Sequence, residues 1–223
     1  MTWLEIVSVL VYVGIYSYVL KHIDFSLLFK HKRIQHLVFG AGVSVFVLWL
    51  FRAGIYDGLT VHFLWLTALT LTLGFRYAVL ISGLVLLGIT GVGKESWQMF
   101  GANGLLGVLV PIALTYAVYT FSFHRIPRHM FIYVFVCAFF PGAAMIAIKM
   151  GLIGGFYTLN GYYSWEVVVD NYEVLIPLLI FPEGLLNGMT MTLLIIYKPD
   201  WIYTFSDKHY FDPDKDKDDS NDS

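Results

Sequence analysis

Charge is scarce in this sequence. Only 13% of its 223 residues are Asp, Glu, Lys or Arg, against roughly 25% in soluble domains, while 58% are hydrophobic. A soluble domain of this size has no interior large enough to hide that surface; a bilayer removes the need. Cysteine is nearly missing too. Cys137 stands alone in an apolar run, which excludes an intrachain disulfide and any CxxC or Cys/His cluster for zinc or iron–sulfur. HExxH, GxSxG and GxxxxGK[ST] are all lacking, so the chain cannot hydrolyse ATP by a P-loop of its own and no enzyme is expected. The first segment does not read as a signal peptide: it carries Glu5, has no basic start and lacks a small-residue cleavage site. No intrinsic cofactor and no nucleic-acid partner are expected.

What is present is a series of apolar stretches. A helix needs about 20 residues to cross roughly 30 Å of hydrocarbon. Seven stretches approach that length: about 2–20, 37–56, 59–74, 77–93, 100–122, 130–151 and 173–197. Only a tight turn around Gly74-Phe75-Arg76 separates the third from the fourth. The fold class is therefore an all-α polytopic membrane protein of about seven transmembrane helices, multi-pass in the cell (inner) membrane with the lipid bilayer as its solvent. Residues 1–205 form a single transmembrane domain. The acidic stretch 206–223 reads as a disordered cytoplasmic tail, since its alternating aspartates lack the glycine and glutamate of a calcium loop.

Basic residues set the orientation. With the N-terminus outside and the C-terminus cytoplasmic, 11 of the 14 Lys and Arg fall on the inner side. The other three, Arg52, Lys94 and Lys149, lie near expected outer helix ends, where long side chains can snorkel.

An ionisable group in the membrane interior costs about 2.5–3.5 kcal/mol at a helix centre and needs a reason. Glu183 follows Pro182 near the middle of the last span, with Asn187 on the same face at i+4. A substrate or ion contact is one reading; a hydrogen-bonded tie between helices is the other. His62 lies about one turn inside the third span, where a neutral imidazole is a natural transition-metal ligand or a structural hydrogen-bonding partner. Asn103, within Gly101-Ala102-Asn103-Gly104, enters the fifth span from the same side at similar depth.

Three segments together resemble the CbiM/NikM family, the substrate-binding membrane components of energy-coupling factor (ECF) transporters for cobalt and nickel. The first is Val61-His62-Phe63-Leu64 running into Leu73-Gly74-Phe75-Arg76-Tyr77-Ala78. The second is Phe100-Gly101-Ala102-Asn103-Gly104 with Val110-Pro111 and Tyr116. The third is Pro182-Glu183-Gly184-Leu185-Leu186, closing on Lys198-Pro199-Asp200. The resemblance covers about residues 37–202 in order and spacing. It departs at the start, where the family's Met-His supplies its terminal amine and second-position histidine to the metal site, and this chain reads Met1-Thr2-Trp3.

The resemblance implies a substrate-binding subunit that captures a divalent transition metal as cargo from the outer side. Cobalt or nickel is implied by the family, and zinc or copper suits the same chemistry. Only His62 carries over directly as a ligand; Asn103, Asp57 and the Met1 amine are supporting candidates, and Glu183 and Asn187 are intramembrane polar groups of structural or transport use. A transmembrane coupling subunit and cytoplasmic ABC-type ATPases are the implied partners. The competing reading is a membrane scaffold or assembly factor that keeps the fold without carrying metal.

Overall fold

A computed structural model describes residues 1–125 and 129–205; the stretch read above as an acidic tail lies outside the described residues. The chain is helical. Helices α1 (Trp3–Lys21), α2 (Phe25–Lys30), α3 (Lys32–Leu50) and α4 (Leu66–Gly91) are followed by α5 (Trp97–Arg125), α6 (Met130–Leu159), α7 (Trp165–Asn171) and α8 (Ile176–Tyr197). With α7 and α8 counted as one run, six stretches are long and apolar enough to cross a membrane. α5 and α6 each contain a seven-residue π-helical segment, Asn103–Leu109 and Tyr133–Phe139, a form that recurs at functional sites.

Local chemistry explains the ends. α1 opens on a capping box: Glu5 N–H donates to Thr2 Oγ1, and Thr2 N–H donates to Glu5 Oε2 at 2.7 Å. α4 is the central helix. Its most apolar window is 67% buried inside the protein, against 17% for α3, which faces outward. At Gly74 the backbone leaves the helical region (φ 75°, ψ 166°), a conformation that glycine adopts without a Cβ penalty. A Cβ there would also meet the Tyr203 ring at 2.8 Å.

Gly74 is a reversal. On one side of it Leu64, Ala68 and Thr72 meet Glu183, Asn187 and Met191, so this stretch runs parallel to α8. On the other side Ile81 faces Gly42 and Gly88 faces Phe46, so the second half runs parallel to α3. α3 and α8 are antiparallel, since Arg33 at the start of α3 pairs with Asp200 just past the end of α8. Among the described residues, α4 thus folds back on itself between α8 and α3, within a bundle of six long candidate spans. One end, the basic end, gathers Lys21, Arg33, Arg76 and Lys198; there Arg76 donates to His22 O and Tyr77 to Asp24 O. The opposite end gathers Thr2, Arg52, Asp57, Glu95 and Asn160–Tyr163.

Two expectations need correction. The third span was expected to be helical over 59–74, but the helix begins only at Leu66, and residues 51–65 are non-helical, with a turn over 55–58. An antiparallel bridge between Ala53 and Val61 partly pairs that segment. Backbone outside a helix survives within a bundle only when its polar groups find partners, and here side chains of α3 and α8 supply them. The sixth span was expected to end near 151, but α6 runs on to Leu159. Lys149 therefore lies ten residues inside the helix, about 15 Å from its end at 1.5 Å per residue.

Candidate functional site

The segment 51–65 is fixed from three sides. Trp49 Nε1 donates to Leu64 O at 3.1 Å, and its ring lies 5.2 Å from the His62 ring. Tyr163 OH donates to Asp57 O at the tip of the segment. Glu183 holds the base: Oε2 accepts from Leu64 N–H at 2.9 Å, and Oε1 accepts from Trp65 N–H and Asn187 Nδ2, both at 2.8 Å. Asn187 Oδ1 then accepts from Ala68 N–H at 2.8 Å. The first N–H groups of a helix have no partner within it. Glu183 and Asn187 supply those partners from another helix, so their geometry is that of a cap for α4. Both are fully buried.

His62 is held just above that cap, in the segment between the spanning helices. Its Nδ1 lies 3.1 Å from Phe63 O. A carbonyl only accepts, so Nδ1 carries the hydrogen and Nε2 keeps a lone pair. Burial foremost, then the nearby cations of Lys149 and Arg52, push the imidazole well below its ordinary pKa, which keeps it neutral.

Around His62 lies a chamber of about 20 Å³, lined by Trp49, Arg52, Asn103, Glu95 and Lys149 among others. That is room for one water or one ion. Arg52 forms a buried ion pair with Glu95 Oε1, and also donates to Lys94 O at 3.2 Å and to Trp49 O at 3.1 Å. Asn103 Nδ2 donates to Glu95 Oε2 at 2.9 Å from the start of the π-helical segment of α5. Outside the chamber is a vestibule of about 420 Å³ lined by Asp57, Lys94, Gln98, Tyr157, Tyr162 and Tyr163. Glu95 lines both cavities.

The structure therefore brings together His62 and Asn103. Asp57 does not line the chamber; it lines the vestibule. Met1 does not line either cavity: its amine lies 3.9 Å from Glu5 Oε2, and Glu5 accepts from the Tyr162 hydroxyl of the vestibule wall. Among the described residues no group of three or more His, Cys, Asp or Glu could hold a metal ion. Glu183 and Asn187 stand apart from the chamber lining, beneath the loop that carries His62.

Reasoning from sequence missed three side chains. Arg52 and Lys149 were expected to snorkel outward, yet both are largely buried and line the chamber, and Glu95 was not singled out. The signal available was that three of the few charges, Arg52, Glu95 and Lys149, fall at the same end of three different spans.

A family model described as the cobalt uptake substrate-specific transmembrane region, CbiM, matches residues 2–201. Two solved structures share the fold. The crystal structure of a truncated transition metal transporter superposes with a TM-score of 0.67 at 19% identity, covering 86% of this chain and 92% of that one. The crystal structure of a transition metal transporter gives 0.68 at 17% identity, covering 86% of each. No curated protein matches by sequence.

Proposed function

From the premise that this chain belongs to the CbiM family of cobalt-uptake substrate-specific transmembrane components, we propose that it captures a divalent transition metal ion at His62, as the cargo-binding membrane subunit of an energy-coupling factor transporter. The family is a non-enzymatic permease component, and the chain is a multi-pass membrane protein with six candidate spans. The observation that carries the proposal is a neutral buried imidazole, its Nε2 lone pair free, beside Asn103 in a chamber the size of one ion. A borderline-soft cation such as Co²⁺ or Ni²⁺ suits that nitrogen.

The proposed orientation puts the vestibule outside and the basic end in the cytoplasm, as the excess of Lys and Arg there favours. The cargo then arrives through the vestibule, where Asp57 supplies a carboxylate on the way in and the Met1 amine stands two contacts behind the wall, through Glu5 and Tyr162. Inward release needs energy that this chain cannot supply; a transmembrane coupling subunit and cytoplasmic ATPases, as the family implies, would provide it. The transmembrane domain is taken as one unit over 1–205.

The test is metal content by mass spectrometry on detergent-purified protein loaded with Co²⁺ or Ni²⁺. Wild type retaining about one ion and His62→Ala retaining none is the expected outcome. Equal content in both sinks the assignment of His62.

A second reading, a membrane scaffold that keeps the fold without cargo, is favoured by one observation: Arg52 and Lys149 put two cations beside the imidazole. It predicts co-purification with a complex other than a transporter and growth indifferent to metal supply.

A further inference from the structure

Lys149 is the charged group that the chamber does not consume. Arg52 is committed to Glu95 and to the carbonyls of Trp49 and Lys94. Both Glu95 oxygens are taken, one by Arg52 and one by Asn103. Lys149 lies ten residues inside α6, is 6% exposed, passes its stem along Gly107 and lines the chamber, yet it makes no hydrogen bond or ion pair among the described residues. It interacts through space with the carboxylates of Glu95 and Glu183 and with the Arg52 guanidinium. An ammonium placed so deep without a hydrogen-bonding partner is costly. Its position beside His62 gives it the place and charge sign of a bound cation.

We propose that Lys149 is a tethered cation that occupies the chamber in place of cargo and must be displaced before a metal ion reaches His62. Its effect is to set the threshold for loading. A dication entering while the ammonium is still in place, in a site too small to hold intervening water, is repelled with little screening. Only an ion that gains strongly from the imidazole nitrogen overcomes that repulsion, so the lysine discriminates against hard cations such as Mg²⁺ and Ca²⁺, which prefer oxygen ligands. The inference rests on the reading of His62 as a metal ligand.

The test is equilibrium dialysis of the full-length protein in detergent against Ni²⁺ and Co²⁺, comparing wild type, Lys149→Met, Lys149→Gln and each with His62→Ala. Removing the charge is expected to tighten binding by about tenfold or more, with the gain vanishing when His62 is also replaced. Structural damage weakens binding, so a gain that depends on His62 separates the two roles. Wild type binding with both Lys149 variants equal or weaker overturns the role of Lys149 and leaves His62 standing. No binding by wild type or either Lys149 variant removes the metal reading, and this one with it. Loss of the folded peak on size exclusion in both variants also overturns the proposal, because it makes Lys149 a structural residue.

Discussion

Two polar clusters lie in the same bundle, Glu183 with Asn187 under the non-helical segment and Glu95 with Arg52, Lys149 and His62 above it, and they are finished to different degrees. In the first, both carboxylate oxygens accept and the Asn187 amide spans Glu183 and Ala68. In the second, the carboxylate is equally saturated, but an ammonium and an imidazole nitrogen face a cavity without a protein partner among the described residues. Buried polar groups that are fully paired stabilise a fold; those left with spare valence in a cavity are available to a ligand. The difference supports reading Glu183 as architecture and, under the proposed function, His62 with Lys149 as the groups that meet cargo, although all three are buried ionisable groups.

The comparison breaks first at Glu183. Replacing it with Ala strands the Leu64 and Trp65 N–H groups, each a hydrogen bond to a charged acceptor, and is expected to destabilise the protein by about 4 kcal/mol. Thermal unfolding in detergent measures this; an unchanged melting temperature with binding lost would move Glu183 into the cargo site. Arg52→Met follows, at about 3 kcal/mol, because it leaves Glu95 buried without its counter-charge. The same melting assay reads it, and rescue by the double change Arg52→Met with Glu95→Gln would show that the pair, and not the volume, carries the cost.

Gly74→Ala comes next, at about 2 kcal/mol, from a side chain forced to positive φ against the Tyr203 ring. A value near zero would mean that the reversal is not held there. The smallest structural effect, about 1 kcal/mol, is expected for His62→Gln, which gives up one hydrogen bond to Phe63 O while its melting curve stays near wild type. Its Ni²⁺ binding, read by dialysis, is expected to be lost. That pairing of little stability change with full loss of binding is the inverse of the Glu183 result, and it sharpens the contrast most.

Much of the site was legible in the sequence. The Val61-His62 segment and the Gly101-Ala102-Asn103-Gly104 start of α5 do meet at one chamber, and the turn at Gly74 is where the glycine and Arg76 placed it. The onset of α4 was not legible, because 59–65 is as apolar as a helix and hydropathy does not distinguish helix from buried extended chain. Its partners, Glu183 and Asn187, lie about 119 residues away. Arg52 and Lys149 escaped for a related reason: a cation near an expected helix end reads as snorkelling until the true length of the helix is known.

The first half of α4 is short and is held at both ends by parts of the chain outside the helix. At one end its N–H groups are gripped by Glu183 and Asn187; at the other, the carbonyls of Leu71 and Thr72 are gripped by the N–H groups of Thr204 and Tyr203. Neither grip is a continuation of the helix; both come from other parts of the chain. The eight residues Leu66–Leu73 thus form a strut of about 12 Å, pinned to the chain's C-terminal stretch below and to the His62 loop above. Residues 203–204 at the basic end are thereby joined through one short helix and its cap to the segment that carries His62.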